Sequence, residues 1–322
     1  MLSELLFQAV QGEMLQRYFA VDMVEVEERA LGRPMVYDFV SKPDLPSVQE
    51  LFGPRRPSFP VKAQAQSVGV ITSAQSLMVQ DGESGMTLLG RRSTSVRPIG
   101  SVTKLMAAMV FLDQEPDLEK SVTLIPEDFV GGGRVYLAYN DALELGDVLA
   151  ASMIGSDNTA TQSLARHLGW SEEEFVARMN EKAEEIGMND TVFTDPTGIL
   201  TSNQSTAVDL VRMLRQAESY PELRELTTTF SRTVRQESGY AVTIENTNGL
   251  LDETSFDLVD TEISLGKTGY LPQAGYVLAT VVERAGHKVY VVVMGSESKD
   301  RREIDTVQLT DWVFNTFEWP SL

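Results

Sequence analysis

Ser101-Val102-Thr103-Lys104 places a hydroxyl and an amine three residues apart, a spacing that brings both onto one helical face, one turn from each other. A neutral amine there can take the serine proton, replacing the histidine of a Ser-His-Asp triad. A helix opening at this serine would also aim backbone N–H groups at a developing oxyanion. The spacing is a weak signal by itself: a second S-x-x-K stands at Ser296–Lys299, without an apolar helix after it. Two more elements accompany the first. Ser156-Asp157-Asn158 falls in a break between helical segments, where it would serve equally well as a helix N-cap. Lys267-Thr268-Gly269 follows a β-pattern, where it would serve equally well as a strand end with a turn glycine. In this order the three supply a nucleophile, a base, a second hydroxyl and a second lysine, which is equipment for acyl transfer without histidine.

Other chemistries are excluded by what the chain lacks. His167 ends a predicted helix, where a cation suits the dipole, and His287 lies in a predicted hairpin turn, so both read as structural. No G-x-S-x-G elbow, phosphate loop or H-E-x-x-H is present, and Gly131-Gly132-Gly133 reads as a flexible loop rather than a nucleotide site. With no Cys and 2 His, disulfides, thiolate catalysis and multi-His metal centres are ruled out, and no metal or cofactor is expected. Against 27 basic residues stand 47 acidic ones, and the net charge of −20 argues against nucleic acid as a partner. No apolar run is long enough for a transmembrane helix, and the N-terminus lacks the features of a signal peptide.

The elements that must position these groups follow from periodicity. Helices are predicted over Ser101–Leu112, Leu145–Met153, Thr159–Leu168, Glu172–Ile186, Ala207–Gln216 and Glu303–Phe317. Hairpins are predicted at Ser76–Gln80 with Met86–Leu89, and at Thr229–Val234 with Ala241–Ile244. Strands follow near Glu262–Thr268, Gly275–Glu283 and Lys288–Met294, the last two joined by a tight turn. Residues 1–66 form a separate region: a possible amphipathic helix over Ser3–Phe19, then a Pro-punctuated arm or linker. Residues 67–322 form the domain. Its class is α/β (α+β), with a mainly antiparallel sheet built from both ends of the domain, flanked by helices, and a helical subdomain.

Over about Gln75–Phe317 the chain resembles the D-alanyl-D-alanine carboxypeptidases, the low-molecular-mass penicillin-binding proteins of β-lactamase/transpeptidase-like fold. Beyond the three motifs, the likeness rests on Met179–Ala183, Ile186–Met188, Thr191–Phe193, Asp195-Pro196-Thr197-Gly198, Ala274–Tyr276 and Val293–Gly295. It implies a serine peptidase that cleaves the terminal D-Ala-D-Ala bond of peptidoglycan stem peptides, is acylated by β-lactams, and acts outside the cytoplasm. Ser101 would be the nucleophile, Lys104 the base with its pKa lowered by burial and by the Lys267 charge, and Ser156 the proton relay. Asn158 would hold the substrate amide. Lys267, Thr268, Gly269 and Tyr270 would line the substrate site, with the Ser101 and Tyr270 N–H groups as oxyanion hole. Arg302, beside Arg301, would bind the terminal carboxylate. The alternatives are a DD-endopeptidase on cross-links, a class A β-lactamase, disfavoured because no E-x-x-L-N is present, and a catalytically silent cell-wall binder.

Overall fold

The structure, a computed structural model, describes residues 59–133, 135–252 and 260–320. The helix expected over Ser3–Phe19 and the arm as far as Ser58 lie outside these residues. Within the last part of the expected arm, Val61–Lys62 (β1) pairs antiparallel with Phe317–Glu318 (β13).

The central sheet is antiparallel, in the order β10 (Thr261–Leu271), β11 (Gly275–Arg284), β12 (His287–Ser296), β2 (Ser76–Asp81) and β3 (Thr87–Arg91). Strands from the two ends of the domain therefore meet at β12 and β2. Ala285 and Gly286 join β11 to β12 with φ of 52° and 78°, the pair of positive values that a two-residue type I′ turn requires. His287 is consequently the first residue of β12 rather than a turn residue, and its ring stacks on Trp319.

Alternation along the strands builds two cores. Val289, Val291 and Val293 pack with Leu309 and Val313 of α7 (Lys299–Thr316) on one face. Tyr290, Val292 and Met294 face the helical layer. At the centre of that layer lies α1 (Thr103–Leu112), buried at every position except Leu112, as its run of Leu, Met and Ala requires. Around it stand α2 (Leu145–Met153), α3 (Asn158–His167), α4 (Glu172–Glu185) and α5 (Ala207–Ala217). Ser171 with Glu174 forms a capping box on α4, and Thr206 caps α5. Short pairs complete the layer: β4 (Arg97–Pro98) with β7 (Gln204–Ser205), β5 (Ser121–Thr123) with β6 (Ala142–Glu144), and the predicted hairpin β8 (Ser231–Arg235) with β9 (Ala241–Glu245).

Four differences from expectation stand out, and three of them bear on the site. The first turn of the helix expected from Ser101 is a 3₁₀ turn, Gly100–Val102, entered from Gly100 at φ 55°. The strand expected to end at Thr268 continues to Leu271, so Lys267-Thr268-Gly269 lies inside β10 and not at its end. Ser298 caps α7 and starts it at Lys299, ahead of the expected Glu303, which brings Arg302 into the first turns of the helix. The fourth is an unpredicted helix, α6 (Pro221–Thr228), begun by a proline at its first position. It flanks β10, where Thr227 Oγ1 accepts the Gly266 N–H at 3.3 Å.

Candidate active site

The 3₁₀ turn presents Ser101, and the first turn of α1 carries Lys104, whose Nζ lies 3.2 Å from Ser101 Oγ. Lys104 is fully buried, and Nζ also donates to Asn158 Oδ1 at 2.6 Å and to the Thr197 carbonyl at 2.5 Å. Burial lowers its pKa from 10.5 to about 7, against the pull of the Asp195 and Asp157 carboxylates. Near neutral pH a large share of the amine is thus uncharged, and its lone pair can then accept the Ser101 proton.

Ser156 approaches from the turn between α2 and α3, with φ of 60° in the left-handed region that a non-glycine residue enters only at a cost of roughly 1–2 kcal/mol. The conformation is fixed from its neighbour: Asp157 accepts the Ala160 N–H, capping α3, and the Tyr136 N–H at 2.8 Å. Across the cleft, Lys267 Nζ donates to Ser156 Oγ at 2.9 Å. Lys267 is also buried; desolvation, then the charges of Lys104 and Arg302, hold its pKa well below 10.5. Burial is the largest cause lowering Lys104, whose surrounding carboxylates pull the other way, whereas Lys267 has cations acting on it, Lys104 among them.

Two loops not assigned a task from sequence complete the base's surroundings. Asp195 Oδ1 accepts from the N–H and hydroxyl of Thr197 and the N–H of Gly198, while Oδ2 accepts from Leu200 N–H and Asn203. Burial alone would push the Asp195 carboxyl up, but these bonds outweigh it and hold the group below its ordinary value. The result is a rigid Asp-Pro-Thr-Gly turn that offers the Thr197 carbonyl to Lys104. Gly131 and Gly132 accept from Asn158 Nδ2 at 3.0 and 2.9 Å, so the triple-glycine run closes over Asn158. Asn158, expected to hold the substrate amide, has both ends of its side-chain amide hydrogen-bonded within the protein. The Asp-Pro-Thr-Gly run entered the sequence reading only as part of the family resemblance, and nothing in it named the Thr197 carbonyl as a lysine partner.

The site opens into a cleft of ≈ 400 Å³ lined by Ser101, Ser156, Thr268, Gly269, Tyr270 and Arg302, among others. Thr268 Oγ1 shares a 2.6 Å hydrogen bond with Thr247 Oγ1. Arg302, rather than Arg301, borders the cleft; its Nη2 donates to the Thr247 carbonyl at 3.2 Å and to the buried carboxylate of Glu303. Arg301 supplies its backbone N–H to the Ser298 cap. In the second S-x-x-K, Ser296 Oγ donates to Asp305 at 2.8 Å instead of meeting a lysine. Backbone meets backbone around the nucleophile. A Cβ at Gly269 would fall 2.2 Å from the Ile99 carbonyl oxygen, and one at Gly198 2.1 Å from that of Gly100. Among the described residues, no group of three or more His, Cys, Asp or Glu is placed to hold a metal, and no helix is long and apolar enough to cross a membrane.

Residues 61–298 match the family described as D-alanyl-D-alanine carboxypeptidase. A D-alanyl-D-alanine endopeptidase of Haemophilus influenzae is 34% identical over 210 residues, which span 65% of this chain and 70% of that protein. The D-alanyl-D-alanine carboxypeptidase DacF of Bacillus subtilis is 26% identical over 254 residues, 76% of this chain and 63% of that one. In structure, the DD-transpeptidase of Streptomyces K15 superimposes with a TM-score of 0.71 at 27% identity, over 77% of this chain and 100% of that one.

Proposed function

This chain belongs to the D-alanyl-D-alanine carboxypeptidase family, and we propose that it is a serine DD-peptidase that cleaves the terminal D-Ala-D-Ala bond of peptidoglycan stem peptides. The observation that carries the reading is the buried Lys104, with a pKa of about 7, whose Nζ lies within hydrogen-bond reach of Ser101. Neutral Lys104 takes the Ser101 proton as Oγ attacks the carbonyl between the two D-alanines. The resulting oxyanion is held by the N–H groups of Ser101 and Tyr270. Ser156, fixed by Lys267, delivers the proton to the leaving amine, the C–N bond breaks, and D-alanine departs from an ester on Ser101. Water then hydrolyses that ester by the same proton path. Thr268 and Arg302 hold the terminal carboxylate, a charge-assisted contact in a half-enclosed site. β-Lactams would acylate the same serine, and such a substrate places the protein outside the cytoplasm.

A second reading, an endopeptidase that opens cross-links, is favoured by one observation: relatives named endopeptidase are 31–34% identical, those named carboxypeptidase 25–31%. One preparation tests both. A fluorescent penicillin should label the wild type and not Ser101→Ala, and D-alanine should be released from an N-acylated D-Ala-D-Ala peptide. Labelling that survives Ser101→Ala would overturn the assignment of the nucleophile. Cleavage of a cross-linked dimer without release of terminal D-alanine would replace the first reading by the second.

A further inference from the structure

The cleft is charged unevenly. Lys299 and Arg302 line it as cations, and Glu245 is the one carboxylate among its lining residues. Glu245 is the last residue of β9 and is exposed. Its carboxylate has no hydrogen-bond or ion-pair partner among the described residues, whereas Arg302 is held by Glu303 and Lys267 by Ser156. The strand fixes where it looks. Ile244 is buried, close enough to Gly155 that a Cβ on that glycine would fall 2.6 Å from Ile244 Cγ2, so the alternation of β9 turns Glu245 to the opposite, solvent-facing side of the strand, at the rim of the cleft. The hairpin that carries it is itself fastened: Thr247 donates its N–H to the Ile154 carbonyl at 3.2 Å, and Gln236 donates its N–H to the Tyr240 carbonyl at 2.8 Å.

We propose that Glu245 is a subsite for an ammonium group on the acyl-donor part of the substrate, carried by the side chain of the residue that precedes the two D-alanines. The inference rests on the DD-peptidase reading. Its chemistry follows from what each end of such a peptide offers. The terminal D-alanine brings a carboxylate, which Thr268 and Arg302 answer, and its nitrogen is locked in the bond to be broken. A cation can therefore come only from the donor side. An unpaired carboxylate on the cleft rim is matched to one, and a partly screened ion pair there is expected to be worth about three- to tenfold in kcat/KM.

The test uses two peptides, N-acetyl-L-Lys-D-Ala-D-Ala with a free side-chain amine and its side-chain-acetylated counterpart, with D-alanine release as the readout. The wild type should prefer the free amine by about three- to tenfold at low salt, with the preference shrinking as salt rises. In Glu245→Gln the ratio of the two rates should approach one; using the ratio cancels any general change in activity or folding. A ratio near one in the wild type, or the same preference in Glu245→Gln, overturns the subsite while leaving the peptidase reading intact. Release from neither peptide by labelled, folded wild type overturns that reading and the subsite with it.

Discussion

A buried lysine with a pKa of about 7 makes the reaction pH-sensitive where most lysines are silent. Only its neutral form accepts a proton, so the rate of acylation by a β-lactam should fall about tenfold per pH unit below 7 and level off above about pH 8. A flat profile from pH 5 to 9 would remove Lys104 from the role of base. Lys104→Arg should be as poor as Lys104→Met at every pH, because arginine keeps its proton to above about pH 12. Stability should follow the same group. The folded pKa lies below the unfolded 10.5, so between these values the unfolded chain binds more protons and stability rises with pH. Comparing the pH dependence of the melting temperature in wild type and Lys104→Met isolates that share. At this scale the approach of Lys104 to Ser101 was legible from their spacing, while the roles given to the site residues came from the family resemblance. Their electrostatics were not legible, because a pKa depends on burial and on neighbours remote in sequence, such as Asp195 and Asp157.

The Asp195 loop shows how an element serves one residue. Its carboxylate organises the turn, presents the Thr197 carbonyl, and raises the pKa of Lys104 by its charge. Asp195→Asn loses acceptor capacity, at about 1–3 kcal/mol per bond left unmade, and loses that charge. Two shifts are expected together: a lower melting temperature, and an acid limb of the acylation profile displaced below pH 7. A displaced limb in the opposite direction would show that the turn acts on the base only through its shape. Element types were readable where apolar periodicity was strong, as in α1 and β10 to β12. The missing boundaries had local causes. The Lys-Thr-Gly run looked like a strand end because glycine weakens strands, yet Gly269 sits there so that β10 can touch the Ile99 carbonyl. Helix α6 went unpredicted because about two turns after Pro221 are too short to show a period.

For the whole molecule, the sheet built from both ends was legible because each end carried its own hairpin pattern. What pins those ends together was not. Trp319 donates to Asp81 Oδ1 at 2.8 Å and stacks on Phe314 and His287, so the last described residues lock onto β2 and the start of β12. Trp319→Ala should destabilise the fold by roughly 1–3 kcal/mol, since a half-buried aromatic is removed and a carboxylate oxygen loses its donor. Penicillin labelling at low temperature should be unchanged, because no atom of Trp319 borders the cleft. A labelling defect without loss of stability would show that the chain end communicates with the site.

The touching backbones at Gly198 and Gly269 bear on how such an enzyme can diversify. Where two main chains meet at a distance that forbids even a methyl group, no series of graded substitutions exists, and each change is all or nothing. Descendants of this sequence are therefore free to explore new substrates only at the mouth, at side chains such as Glu245 and Lys299, while the floor beneath Ser101 stays fixed. A saturation library selected for acylation should accordingly show two positions intolerant of every replacement, neither of which offers a side chain to the substrate.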